Sequence, residues 1–481
     1  MQKKFLTGLF ILLGVNLIVK PIWIFGIDRT VQNITGPSEY GLYFAILNFS
    51  FLFNIFLDLG ITNFNNRNIA QNEHLLSKYF SGISILKFLL AGFYVVLTFG
   101  TAYFIGYDSR QFHFLLFMTI NQFLLSFILY LRSNISGLQL FKTDSILSVT
   151  DRFLMIIFCS VLIWGNWFAS PFRIEWFLYA QTLAYAITFL ICIAIVSIRS
   201  HFQKPCWDIP FFIRILKDSF PFALLILLMT FYNRIDSVML ERMLDNGNHF
   251  AGVYAAAYRL LDAFNMVSYL FAVILLPLFS RMLKLRENII PIVRISFNML
   301  FVFSTFIALF SAFHAEKIMS ILYHANTIES AAVFRILMFC LIPISITYIF
   351  GTLLTANGSL KKLNIIAFAG MILNIILNII FIPIFKTEGA AAVSLATQIL
   401  TALFQLIYVL IIFKIKNESR YIILLGLYLI VSISAIYLCQ YFIDNILISL
   451  LVSGSICLIS ASMLQILKPW KLFSLMKESR E

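Results

Sequence analysis

Charge is scarce in this chain. Only 12% of its 481 residues are Asp, Glu, Lys or Arg, and 61% are hydrophobic, with a mean hydropathy of +0.93; an ordinary soluble domain carries about 25% charged residues. No soluble fold hides that much apolar surface. The six cysteines, Cys159, Cys192, Cys206, Cys340, Cys439 and Cys457, are scattered and make no C-x-x-C pair, which argues against a disulfide framework and a zinc site. The six histidines do not cluster, and the phosphate-cradling G-x-x-x-x-G-K-S/T, the dinucleotide G-x-G-x-x-G and a D-x-D pair are all missing. The chain is therefore expected not to be an enzyme, and to work without a cofactor or a metal ion.

What fills the sequence is apolar runs of about 20 residues, each long enough to cross a hydrocarbon core about 30 Å thick. About 14 of them begin near Phe5, Tyr40, Gly82, Phe112, Ser145, Ile174, Ser219, Ala251, Ile292, Ala332, Leu363, Gly389, Tyr421 and Asn445. The fold class is an all-α polytopic membrane protein. Lys3 and Lys4 precede an apolar stretch to about Ile27 that is too long for a signal-peptide core, so it is expected to remain as the first span. Lys and Arg outnumber Asp and Glu by 35 to 22. They fall in alternate connections, about 23 on one side against seven on the other (Arg29, Arg110, Arg173, Arg242, Lys317, Arg335 and Lys386). Positive-inside topology accounts for the basic charge better than a nucleic-acid partner does, and it puts both termini in the cytoplasm of an inner-membrane protein. The connections on the opposite side are short, which leaves little room for a catalytic head.

Four cations break the apolar pattern. Lys20, Arg152, Arg234 and Arg259 lie several residues inside spanning runs, where a charge costs roughly 2.5–3.5 kcal/mol and usually faces a bundle interior or a water-filled path. Such a lining suits an anionic cargo. At about 1.5 Å per residue, Lys20 is about 22 Å from the inner end of its span, Arg234 about 24 Å along its own, and Arg259 about 12 Å from the outer end. Structural pairing or snorkelling are the competing readings. Arg259 and Asp262 are three apart on one helical face, while Arg234 and Asp236 do not share one. Arg152, beside Asp151 and about two turns inside its span, is placed to snorkel to the inner surface as an entry-side contact. Pro21 removes a helix hydrogen bond and is expected to kink the first span beside Lys20. Asp58, Gly60 and Arg67 end the second span, where they form either a gate pair or an ordinary loop cap. Arg29 belongs with these gate or pairing residues.

The halves also echo one another. Gly41-Leu42-Tyr43 opens the second span and Gly252-Val253-Tyr254 the eighth; Gly137 with Lys142 follows the fourth and Gly358 with Lys361 the tenth. Two six-span lobes of like orientation would follow, with cargo between them. They are expected at 1–200 and 218–415, joined by a cytoplasmic linker at 201–217 that holds Pro205 and Pro210 and followed by two further spans at 416–481.

Several stretches resemble a known family, the Wzx-type oligosaccharide flippases in the polysaccharide-transport branch of the multidrug/oligosaccharidyl-lipid/polysaccharide exporters. They are Arg29 with Gly36-Pro37-Ser38-Glu39-Tyr40-Gly41; Asp58-Leu59-Gly60 with Arg67 and Ala70; Phe220-Pro221; Arg234-Ile235-Asp236-Ser237-Val238-Met239-Leu240; Gly252-Val253-Tyr254 with Ala257 and Arg259; Thr355-Ala356-Asn357-Gly358; and Asn374, Asn378, Pro383 and Gly389-Ala390-Ala391. The resemblance covers most of the first 12 spans. It implies alternating access and movement of undecaprenyl-pyrophosphate-linked oligosaccharides to the outer leaflet, with a polysaccharide polymerase and a chain-length regulator as partners; whether an ion, Na⁺ or H⁺, couples to the movement is left open by the sequence. Lys20, Arg234 and Arg259 would then hold the pyrophosphate, since Arg forks match phosphate oxygens and Lys adds a point charge. The competing functions are a multidrug or cation antiporter of the same superfamily, a membrane-embedded polymerase or ligase, and a non-transporting scaffold.

Overall fold

The structure is a computed structural model that describes residues 14–16, 18–62, 65, 69, 76–138, 140–165, 171–200, 207, 209–414 and 419–467. Among these there is no strand. In lipid, a backbone can satisfy its polar groups within one segment only as a helix, and the apolar runs do so. The helices are α1 (Arg29–Leu52), α2 (Leu76–Ile105), α3 (Ser109–Gly137), α4 (Phe141–Trp164), α5 (Ile174–Ser200), α6 (Ile209–Met243), α7 (Gly247–Lys284), α8 (Ile290–Phe313), α9 (Ala315–Leu322), α10 (Thr327–Phe339), α11 (Leu341–Ala356), α12 (Leu360–Ile412), α13 (Ser419–Phe442) and α14 (Ile446–Met463).

Local chemistry sets the boundaries. Pro21 is followed by a π-helical stretch, Ile22–Asp28, so the expected kink takes the form of a widened turn. Gly36, at φ 80° and ψ 168°, breaks α1 just before Pro37 and separates the first span from the second. Asp108 caps α3 by accepting from the Gln111 amide while the Gln111 side chain returns to the Asp108 amide. Asn445 caps α14. The 53 residues of α12 would run about 80 Å as one straight helix at 1.5 Å per residue, but they are two helices that meet at a kink at Lys386, where φ is 50° and ψ −126°. Among the described residues 11 helices are long and apolar enough to span a membrane. Counting α12 twice and adding the two stretches that Gly36 divides reaches the 14 expected spans.

The chain forms two compact units, Met1–Gly252 and Val253–Glu481. The division falls inside α7, beyond the linker expected at 201–217, because α6 packs along α1. Residues 201–206 and 208 of that linker lie outside the described set.

In the first unit α1 and α6 run antiparallel. The Asn48 amide donates to Ser237 Oγ at 2.8 Å, and the Phe53 ring meets Phe231 edge-on at 6.0 Å. Beyond them, Pro37 and Gly41 of α1 touch the first turns of α7. A Cβ on Gly41 would overlap the Asn248 carbonyl, and one on Gly252 would overlap the Pro37 carbonyl. The glycines of the two Gly-x-Tyr motifs thus lie against each other, with a Gly41 Cβ reaching 2.5 Å from the Gly252 amide nitrogen. Gln32 donates to the Gly252 carbonyl at 3.1 Å beside them. A core of Ile83, Leu86, Leu124, Phe127, Tyr130 and Tyr185 joins α2, α3 and α5.

In the second unit α8 packs against α10, α11, α13 and α14. The two trailing spans dock on α8 through side chains that donate to backbone carbonyls: Asn298 to Ile466 at 2.7 Å, Tyr428 to Val302 at 3.2 Å and Gln440 to Phe313 at 2.9 Å. His314, at the end of α8, donates from Nδ1 to the Phe310 carbonyl at 3.1 Å, and its Nε2 accepts from Ser449 Oγ at 3.2 Å. Burial, reinforced by the Lys317 charge, holds this imidazole below its ordinary range.

Two outcomes follow from this packing. Gly252→Val should lower stability towards the upper end of the about 1–3 kcal/mol typical of overpacking. Gly92→Val, at a glycine whose Cβ would meet nothing within 4 Å, should leave the melting temperature in detergent nearly unchanged. The neutral His314 contribution is complete above the unfolded pKa of about 6.5 and is lost as pH falls through the lowered folded value. The melting temperature should therefore drop between pH 7.5 and 5.5, and His314→Gln should reduce that slope.

Candidate functional site

The N-terminal unit gathers three cations. Arg152, Asp151 and Arg132 are the charges that act on Lys20. Lys20 stands at the entrance to the π-helical stretch, and α4 and the end of α3 bring the other groups to it. Arg132 donates to Asp144 at 2.7 Å, and Arg152 lies 3.7 Å from Asp151. Three cations against two carboxylates leave the cluster positive. The Arg152 guanidinium sits 5.5 Å from the Trp23 ring and 5.9 Å from the Tyr185 ring, with Met155 Sδ 3.5 Å away. Aromatic faces attract a cation in poorly solvated surroundings.

Arg234 lies in the α1–α6 seam. It donates to Asn48 Oδ1 at 3.4 Å, and its guanidinium is 5.6 Å from the Phe51 ring. Asp236, two residues on, is 1% exposed. Arg259 and Asp262 are half-buried on α7 in the second unit, and Arg29 is half-buried at the start of α1. The structure thus brings Lys20 and Arg152 together, sets Arg234 against α1, and places Arg259 in the other unit.

Asp58 pairs with Lys87 of α2 at 2.9 Å, and its carboxylate also accepts from the Thr62 amide at 3.3 Å. Arg67, the other half of the expected gate, lies outside the described residues. Lys87 is 1% exposed, and it donates further to the Leu57 carbonyl at 3.0 Å and to Ser126 Oγ at 2.9 Å. Sequence reasoning missed it, although it lies inside the apolar run that follows Gly82 and could have been found by the test that singled out the other four.

Charges also tie the opposite helix ends. Arg110 bridges Glu39 at 2.5 Å and Glu175 at 2.8 Å. Arg242 pairs with Glu241 at 2.7 Å and lies 4.2 Å from the Tyr107 ring, while Gln111 donates to Glu241 at 2.7 Å. Burial pushes the Tyr107 hydroxyl well above its ordinary range. No group of metal-ligating side chains occurs among the described residues.

Apolar helices of spanning length, with ions paired inside them, define a polytopic membrane protein, and its architecture is that of known flippases and exporters. The chain aligns with the lipid II flippase MurJ in its inward closed conformation at a TM-score of 0.72 and 17% identity, over 93% of this chain and 98% of that one. An inward-facing multidrug resistance MATE family transporter of the MOP superfamily aligns at 0.59 and 15% identity, over 81% and 92% of the two chains. The Vibrio cholerae MATE transporter VcmN in its bent form aligns at 0.55 and 16%, over 84% and 95%. At these identities the likeness is one of fold. The family profile described as polysaccharide biosynthesis protein matches residues 5–283, more than half of the chain, and the chain belongs to that family. No curated protein sequence matches it.

The two kinds of ion pair should respond differently to substitution. Lys87→Met strands a half-buried carboxylate and should cost about 3–5 kcal/mol, whereas Arg110→Ala, at 46% exposure, should cost about 0.2–1 kcal/mol. Melting of the purified variants in detergent measures both, and equal losses would contradict the assignment.

Proposed function

We propose that this protein is a flippase that carries undecaprenyl-pyrophosphate-linked oligosaccharide units from the inner to the outer leaflet of the cytoplasmic membrane by alternating access. The observation that carries the reading is the positive cluster of Lys20, Arg132 and Arg152 inside an apolar bundle, with Arg152 between Trp23 and Tyr185. A polysaccharide-biosynthesis family and a fold shared with flippases support it. Transport by this route needs no catalysis and no cofactor. Both termini face the cytoplasm, and a polysaccharide polymerase and a chain-length regulator take up the product.

The mechanism follows from charge. A pyrophosphate entering the cluster exchanges its water for Arg and Lys donors, whose forked and point-charge geometries suit phosphate oxygens. Arg234 and Arg259 add positive charge along the route. The loaded protein crosses its midpoint nearly neutral, and the empty one stays cationic. A charge moved through the full field is worth about 2.3 kcal/mol per 100 mV, so a negative cytoplasm draws the empty site back to its inward-facing state. Coupling to Na⁺ or H⁺ antiport would act on the same reset.

The experiment is lipid analysis of a deletion strain complemented with wild type, Lys20→Ala or Arg152→Ala. Loss of surface polysaccharide, with lipid-linked oligosaccharide protected on the cytoplasmic side, is expected in both variants. Normal export with raised sensitivity to cationic drugs would transfer the assignment to a multidrug antiporter. Accumulation of unpolymerised units outside would point to a polymerase. In proteoliposomes, flipping should quicken when valinomycin and potassium set the lumen corresponding to the cytoplasm negative, and rates indifferent to potential would remove the field-driven reset.

A further inference from the structure

We propose that Lys87 is a positioning residue of the inner gate: it holds the broken end of the second span closed against α6, and it takes no part in binding cargo. The proposal rests on the alternating access argued above.

The second span does not end as a simple helix. After α1 the chain makes a 3₁₀ turn, Asn54–Leu57, then passes through Leu59 at φ 44° and Gly60 at φ 85°. A leucine in the left-handed region is uncommon, and it persists only where its surroundings over-determine it. Lys87 supplies that constraint from α2. An ammonium has three donors, and here they go to the Leu57 carbonyl, Asp58 Oδ1 and Ser126 Oγ, at 3.0, 2.9 and 2.9 Å. Ser126 donates in turn to the Leu57 carbonyl at 3.1 Å, which draws α3 into the same knot. The rings of Phe127 and Tyr130 lie 5.8 and 5.7 Å from the ammonium. With its donors used and its side chain 0% exposed, Lys87 has nothing left to offer an anion.

The strained turn places its far side on α6. A Cβ on Gly60 would come 3.0 Å from Ser219 Cβ, and Phe53 packs edge-on to Phe231. By the positive-inside distribution this is the cytoplasmic end of both spans. It is closed in this conformation, and an inward-open state requires it to part. The Gly60–Ser219 contact is small and can release. The knot of Lys87, Leu57, Asp58 and Ser126 joins α1, α2 and α3, so it moves with them and presents the same turn for each closure.

The test uses a full-length variant with all six cysteines replaced and Ser219→Cys as reporter, in inside-out membrane vesicles treated with a membrane-impermeant maleimide. Lys87→Met/Asp58→Asn removes the pair without leaving a charge behind, and Ser126→Ala removes one strand of the knot with the ion pair intact. Labelling at position 219 should be slow with the knot complete, faster by about threefold or more in the double variant, and intermediate in Ser126→Ala. The same ordering should hold without substrate. Wild-type labelling rates in a double variant that remains monodisperse would overturn the proposal, since a merely structural pair would change melting temperature alone. Labelling confined to right-side-out vesicles would overturn the inner placement of the gate. Because labelling reads the gate and the polysaccharide assay reads the cargo, either can fail without the other.

Discussion

An ion held in hydrocarbon must receive its partners from the protein, and in this molecule that requirement decides how helices meet. Lys87 joins three spans because its ammonium has no water to turn to. Arg152 lies between Trp23 and Tyr185 for the same reason. The apolar surfaces fix little by comparison, since lipid tails solvate leucine as well as another helix does. Direction and register come from the polar groups: Asn48 with Ser237, Gln32 with Gly252, and Asn298 with Ile466.

The architecture was legible in the chain because bilayer thickness and backbone satisfaction translate directly into runs of apolar residues. The number of spans could be read that way, and Pro21 marked the place where the first span departs from a regular α-helix. The partners of the cations could not, since hydropathy places a charge in depth and leaves its direction around the helix open. The Trp23 and Tyr185 rings beside Arg152 are of this kind. The Lys87–Asp58 pair, 29 residues apart along the chain, could not be read from hydropathy either. Arg132, paired with Asp144, adds to the charges around Lys20, and the sequence alone did not single it out. The chain boundary between the units was also displaced, because α6 follows α1 more closely than its place in the sequence implies.

The fold is shared with flippases and with multidrug exporters, so what separates the functions must lie in the charges that the bundle encloses. Here they are predominantly cations at Lys20, Arg132 and Arg152, balanced by too few carboxylates. The Lys87–Asp58 pair is neutral and contributes shape. A positive interior and a neutral brace are separate features of the bundle, and substitutions can address each alone.

The crossing of Gly41 and Gly252 has a consequence for how this sequence can vary. When a side chain obstructs a larger residue, a second substitution can trim the obstacle. Here each glycine faces main-chain atoms, the carbonyl of Asn248 on one side and that of Pro37 on the other, and every amino acid carries the same main chain. No replacement among the facing residues can make room, so drift at either position has no compensating partner. The two short Gly-x-Tyr motifs are therefore anchored in the sequence by the residue that contributes no side chain at all.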